Sequence, residues 1–199
     1  MRRQGQGVVR CRWAVVAAVA VLVGGCTGEP VPERTTVAAT PSASASPVPS
    51  PPPRPEMPVR PQGMDEPTAA GATAAATHFF ELYDYAFSTG DAGPLRALSA
   101  ESCTYCNEVV QQVQQAVDDR LLTERDPSEI TDVSVVEVRP GEWFTVELRR
   151  FQGEIRLRGD DGSVVATEPK GAPLDYGLAL SWTDDRWTVD EVGLTAAPG

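Results

Sequence analysis

The sequence predicts an α+β fold: three N-terminal helices packed on a curved antiparallel sheet of about five strands. Three observations carry this. Apolar residues recur at helical spacing up to about Glu124, the period switches to two after Asp126-Pro127, and turn signals separate the later runs.

The helices come first. Pro67 suits the first turn of a helix. An alanine-rich run then leads into HFFELYDYAF, where Phe79, Leu82, Tyr83, Ala86 and Phe87 fall on one face. Gly90 ends this helix, and Asp91 can cap a short second one, GPLRALS. A third helix is expected from Cys103 to about Glu124. Its apolar stripe is Cys106, Val109, Val110, Val113, Val117 and Leu121, with the glutamines facing outward. Asp126-Pro127 stops it.

The strands follow. Val133, Val135 and Val138 mark the first. Phe144, Val146 and Leu148 alternate with polar residues in the second, and Gly153 reads as a bulge before Ile155 and Leu157. Gly159-Asp160-Asp161-Gly162 is a hairpin turn into a short strand, Val164 to Thr167. Tyr176, Leu178, Leu180 and Trp182 share one face. Asp184-Asp185 turns the chain into a last strand with Trp187 and Val189. Residues 64–195 make up this α+β domain, large enough for one real core.

The residues before it read differently. Residues 2–12 are basic, and Trp13 to Val23 is an apolar run of eleven residues. That is too short for a stable span, which needs about 20 residues, and suits a secretory signal. Val23-Gly24-Gly25-Cys26 resembles the lipobox of bacterial lipoproteins. The resemblance implies cleavage of residues 1–25 and lipidation of Cys26, with fatty acyl chains such as palmitate holding the protein on the extracytoplasmic face of the cell membrane. Residues 26–63 are expected to be a disordered tether, since positions 27–63 hold eleven of the eighteen prolines among Ser, Thr and Ala. Extended as polyproline II, it reaches roughly 100 Å.

Charge narrows the partners. The net charge is −11, and loss of Arg2, Arg3, Arg10 and Arg12 with the signal takes it to −15. Nucleic acid is therefore not an expected partner, because phosphate contacts need a basic patch. Lys170 is the single lysine, a bias like that of GC-rich actinobacterial coding.

Helices first, then a bent antiparallel sheet ending in a W-x-V-type strand, resembles the nuclear transport factor 2-like (cystatin-like cone) fold. More narrowly, Phe79-Phe80, Tyr83 to Phe87, Ser88-Thr89-Gly90-Asp91 with Leu95 and Leu98, and Ser102-Cys103-Thr104-Tyr105-Cys106 resemble an actinobacterial lipoprotein family classed as a domain of unknown function. That family implies export and lipidation, and assigns no activity or cofactor.

Candidate chemistry is sparse. With Cys11 lost in the signal and Cys26 lipidated, Cys103 and Cys106 remain as one C-x-x-C pair in an oxidising compartment. A thiol oxidoreductase would use such a pair at a helix start. The context is not the βαβ unit of redox motifs, so the expectation is a structural disulfide worth about 2 kcal/mol. His78 is the only histidine, and packing is its expected role. Asp160-Asp161 and Asp184-Asp185 match no calcium loop, no phosphate-binding glycine motif occurs, and neither metal nor cofactor is expected. The cone of this fold can enclose a cavity, and Tyr83, Tyr176, Trp182 and Asp190 could line one. The expectation is a non-catalytic module that binds a small apolar ligand or another envelope protein. The alternative is a small cavity enzyme of the isomerase or cyclase sort.

Cys26→Ser is expected to leave an unlipidated, largely uncleaved precursor. Metabolic labelling with a fatty-acid analogue checks this; equal labelling of wild type and variant would refute it.

Overall fold

Residues 55–195 are described in a computed structural model; the expected signal segment, Cys26 and most of the expected tether lie outside the described residues. A 3-10 turn (Gln62–Asp65) precedes helix α1 (Ala69–Thr89). Thr68 caps α1 by accepting from the Gly71 N–H at 3.1 Å, so Pro67 falls outside the helix instead of in its first turn. Gly90 closes it in the left-handed region (φ 80°), donating to the Ala86 carbonyl. Gly71, Ala72, Ala75 and Ala76 bury one face of the alanine-rich half of α1, because small residues let it press close to its neighbours. A Cβ on Gly71 would lie 2.1 Å from the Glu66 carbonyl oxygen and 3.1 Å from the Trp187 ring.

Helix α2 (Gly93–Leu98) buries Leu95 and Leu98, and the Asp91 carboxylate accepts from the Gly93 N–H at 2.9 Å. Helix α3 (Thr104–Asp118) is shorter than expected. Asp118 and Asp119 put two negative charges at the negative end of its dipole. Arg120 then turns left-handed (φ 57°), and the Leu121 N–H closes on the Ala116 carbonyl. Cys106, Val109 and Val113 are buried as expected, whereas Val117 is exposed.

Leu122–Arg125, expected as helix, is strand β1. The remaining strands are β2 (Glu129–Arg139), β3 (Trp143–Phe151), β4 (Ile155–Arg158), β5 (Val164–Glu168), β6 (Leu174–Thr183) and β7 (Arg186–Leu194). All pairings are antiparallel. They form a four-stranded sheet, β2-β3-β6-β7, and a three-stranded one, β1-β4-β5. The fold is thus α+β as expected, with seven strands in two sheets among the described residues in place of about five in one.

Gly153 explains part of the difference. It is no bulge: the chain leaves β3 at Phe151 and enters β4, in the other sheet, at Ile155. At the crossing Gly153 runs so close to the β1–β2 connection that a Cβ would sit 2.6 Å from the Asp126 carbonyl oxygen.

In β2 the expected core face fails. Register shifts at Thr131/Ser134 and Glu137/Arg139 break the alternation, and Asp132 is left-handed (φ 52°). Val135 packs against the core while Val133, Val136 and Val138 are exposed. In β3, β6 and the first half of β7 the alternation holds. Phe144, Val146, Leu148, Tyr176, Leu178, Leu180, Trp187 and Val189 are buried, and Trp182 is half-buried. Both expected turns form: Gly159 donates to the Ser163 carbonyl, and Asp184 and Asp185 take φ of 53° and 56°, a type I′ pattern. β5 is exposed along its whole length and pairs only with β4.

The core lies between the helices and the four-stranded sheet, built on Phe79, Phe80, Leu95, Phe144 and Leu178. No helix among the described residues is long and apolar enough to cross a membrane.

Gly71→Ala is expected to destabilise the fold by about 2–3 kcal/mol through overpacking against backbone. Gly171→Ala, with open space around it, is expected to stay within about 0.5 kcal/mol. Chemical denaturation compares the two.

Candidate functional site

Phe80, Tyr83 and Phe87 lie at i, i+3 and i+7 of α1, one face of a helix. In β3, Arg150 continues the inward series of Phe144, Val146 and Leu148 and is buried. In β1, Arg125 shares the side of buried Thr123. The two guanidiniums interleave with the three rings. Arg150 Cζ is 5.2 Å from the Phe80 centroid and 5.1 Å from that of Tyr83. Arg125 Cζ is 5.4 Å from Tyr83 and 4.7 Å from Phe87. The result is a ladder, Phe80–Arg150–Tyr83–Arg125–Phe87, at cation–π distances throughout.

Asp84 supplies the counter-charge. Its Oδ1 accepts from Arg150 Nη2 at 2.6 Å and lies 3.8 Å from Arg125 Nη1. Ser128 donates to Asp84 Oδ2 at 2.5 Å, and its oxygen also accepts from Arg150 Nη2 at 2.8 Å. The Arg150 and Arg125 side chains are 2% and 9% exposed, and that of Asp84 23%. Deeper in, Phe80 touches Tyr176 (4.8 Å between centroids), and Tyr105 lies against Tyr176 and Phe79. Burial raises the pKa of both Tyr83 and Tyr105; Arg125 and Arg150 oppose the rise at Tyr83. Both phenols are therefore neutral donors at ordinary pH. This interior offers fixed cations and phenols, and the carboxylate it contains is already paired.

The residues considered as cavity lining do not converge. Tyr83 and Tyr176 both meet Phe80. Trp182 stacks on Trp187, at 5.3 Å. Asp190 accepts from Ser181 at 3.1 Å; burial raises its pKa and that hydrogen bond opposes the rise. Ser181 alternates with inward Leu180 and Trp182, so this pair faces away from the core. His78 is buried, and its Nδ1 lies 2.9 Å from Glu81 on the same helix.

Cys103 and Cys106 are joined across the first turn of α3, with a Cα separation of 5.3 Å and both residues buried. Glu191 of β7 accepts from the Thr104 and Tyr105 N–H groups, so the positive end of α3 already holds a carboxylate. Among the described residues no group of three or more His, Cys, Asp or Glu could hold a metal ion.

Two adjoining clefts border α2, sharing Ala97 and Arg186. One, of about 510 Å³, is mainly apolar: Met57 and Val59 face Met64, Leu82, Leu98 and Trp187. The Trp187 indole N–H is buried and has no partner. The other, of about 490 Å³, is more polar and includes Arg96, Glu101, Asn107 and Thr188.

Sequence reasoning missed Arg125, Arg150 and Asp84. The signal for Arg150 was present: a charged residue at an inward position of β3, two places after Leu148.

Residues 35–193 match the model of a family of unknown function (DUF6318), and the chain belongs to that family. No curated protein matches it in sequence. Among solved structures it is similar to the intermembrane space region of chloroplast protein ARC6. The identity is 14% and the TM-score 0.50, over 65% of this chain and 98% of that one. A weaker likeness is to Aln2 from a Streptomyces species, at 11% identity and a TM-score of 0.41, over 62% and 88% of the two chains. At such identities the ARC6 likeness speaks to the fold alone. The architecture, with helices preceding and covering an antiparallel sheet, agrees with the expected nuclear transport factor 2-like arrangement.

Asp84→Asn is expected to cost about 3 kcal/mol, because it leaves two buried guanidiniums without a counter-charge. Asp190→Asn removes no buried pair and is expected to cost under about 1 kcal/mol. Urea unfolding of the two variants distinguishes them.

Proposed function

For a chain of this family, we propose a lipid-tethered, non-catalytic binding module of the cell envelope. Cys26 carries the lipid, residues 26–63 display the domain on the extracytoplasmic side, and the domain engages a small apolar ligand or the apolar side chains of another envelope protein. The observation that carries this reading is the apolar cleft beside α2. Its outer wall comes from the end of the tether, Met57 to Arg60, and buried Trp187 lines its floor. Concave, mostly apolar surface with few polar groups is what small-molecule sites present.

Two further features support a binding role over a catalytic one. Tyr83, Tyr176, Trp182 and Asp190 are dispersed, and the carboxylate that does face the interior, Asp84, is engaged by Arg150 and Ser128. The Cys103–Cys106 pair fits a structural clamp, since both sulfurs belong to buried residues at the base of α3. The strongly acidic chain also disfavours a nucleic-acid partner.

The test places a photo-cross-linking residue at Ala97, exposed between the two clefts, in the intact protein in its own membrane. A second probe at Gly171 serves as control. Adducts to lipid-like molecules or envelope proteins are expected from position 97 and not from position 171. Equal or absent labelling at the two positions overturns the cleft as the binding surface.

A further inference from the structure

The α1–β1–β3 junction sets two buried cations against one carboxylate. Carboxylates are in excess in this chain, with 28 Asp and Glu against 17 Lys and Arg. Other arginines take advantage of that. Arg156 reaches Glu124, Asp126 and Glu154, Arg158 pairs with Glu124, and Arg149 meets both Asp175 and Asp132. Arg125 and Arg150 are more deeply buried than any of these, yet both depend on Asp84. Two cations therefore face one anion where water is scarce.

The donors tell the same story. Arg150 Nη2 is satisfied by Asp84 and Ser128, but Arg150 Nε has no partner. Arg125 Nε and Nη1 are also buried without a hydrogen bond. The rings of Phe80, Tyr83 and Phe87 cover guanidinium faces, and a ring face accepts charge but does not saturate the in-plane N–H groups. What these edges lack is an acceptor carrying negative charge. A buried guanidinium is stabilised chiefly by such charge-assisted bonds.

We propose that Arg125 and Arg150 form a binding site for a small carboxylate or similar oxyanion at the α1–β1–β3 junction, beside Asp84 and Ser128. The bound anion brings the cluster to neutrality and accepts from the in-plane N–H groups that the protein leaves unpaired. Asp84, at 23% exposed, and half-buried Ser128 and Phe87 leave the outer end of the cluster in contact with solvent. This site is distinct from the cleft beside α2 and does not depend on its function. Free anions and the carboxylate of a larger ligand share the recognising chemistry.

The test follows the arginine Nε–H resonances of the isotopically labelled full chain while acetate, succinate or sulfate is added at constant ionic strength made up with chloride. Assignments come from Arg125→Lys and Arg150→Lys. Saturable shifts of both Nε–H signals with acetate are expected, reversed on dialysis. Arg125→Gln is expected to weaken the apparent affinity at least tenfold while the remaining spectrum stays dispersed. If Arg125→Gln does not fold, the wild-type titration decides alone. Stronger saturation by succinate than by acetate points to the headgroup of a larger ligand, and equal saturation to a free ion; each supports the site. Shifts that never saturate, or that track ionic strength for every salt, overturn it.

Discussion

One carboxylate holds the two sheets to the helix. Arg125 comes from the three-stranded sheet, Arg150 from the four-stranded one, and both reach Asp84 of α1. The sheets share no hydrogen-bonded ladder, so they are related through side chains and through the three connections that pass between them, β1 to β2, β3 to β4 and β5 to β6. The first two of these connections meet at Gly153, where the Asp126 N–H also donates to the Glu154 carbonyl. The buried ion cluster need not add much net stability, because desolvation offsets the Coulomb gain. Its contribution is to geometry: only one placement of β1 and β3 lets both guanidiniums sit between the same three rings.

A second set of constraints fastens the remaining helices. The Ala100 N–H donates to the Val189 carbonyl, Glu191 caps α3, and the Cys103–Cys106 bond closes its first turn. All three act on the link between α2 and α3 or on the helix that follows it. The short α2 would be a marginal helix alone. Held at its C-terminal end and anchored by Leu95 and Leu98, it becomes a stable divider between the two clefts. The apolar cleft is then completed by Met57 to Arg60, where Arg60 donates to the Met64 carbonyl.

Much of this was legible from local patterns. The stripe of α1, the inward series of β3, β6 and β7, and the two aspartate-containing turns each depend on residues a few positions apart. What was not legible depended on partners far along the chain. Leu122–Arg125 carries a polar, helix-compatible sequence, and becomes a strand because β4 pairs with it. The valines of β2 alternate on paper, but two register shifts turn most of them outward. Arg150 and Asp84 are 66 positions apart. No periodicity links them, and an arginine among inward-facing residues is the sole local hint. The clefts are harder still, since their walls come from residues 57–60, α1, α2, α3 and β7.

Two of the edge strands, β2 and β5, differ in how they are guarded. β2 is broken by register shifts and carries Glu129, Asp132, Glu137 and Arg139, all features that discourage edge-to-edge pairing. β5 carries no charge across Val164, Val165, Ala166 and Thr167, its single charge being the terminal Glu168, and it has one register shift, at Val165. In a concentrated preparation, or among neighbours crowded on one surface, this short stretch is where a foreign strand could extend the sheet. Its brevity is then the main safeguard, because few backbone pairs are available to repay the lost freedom of two chains.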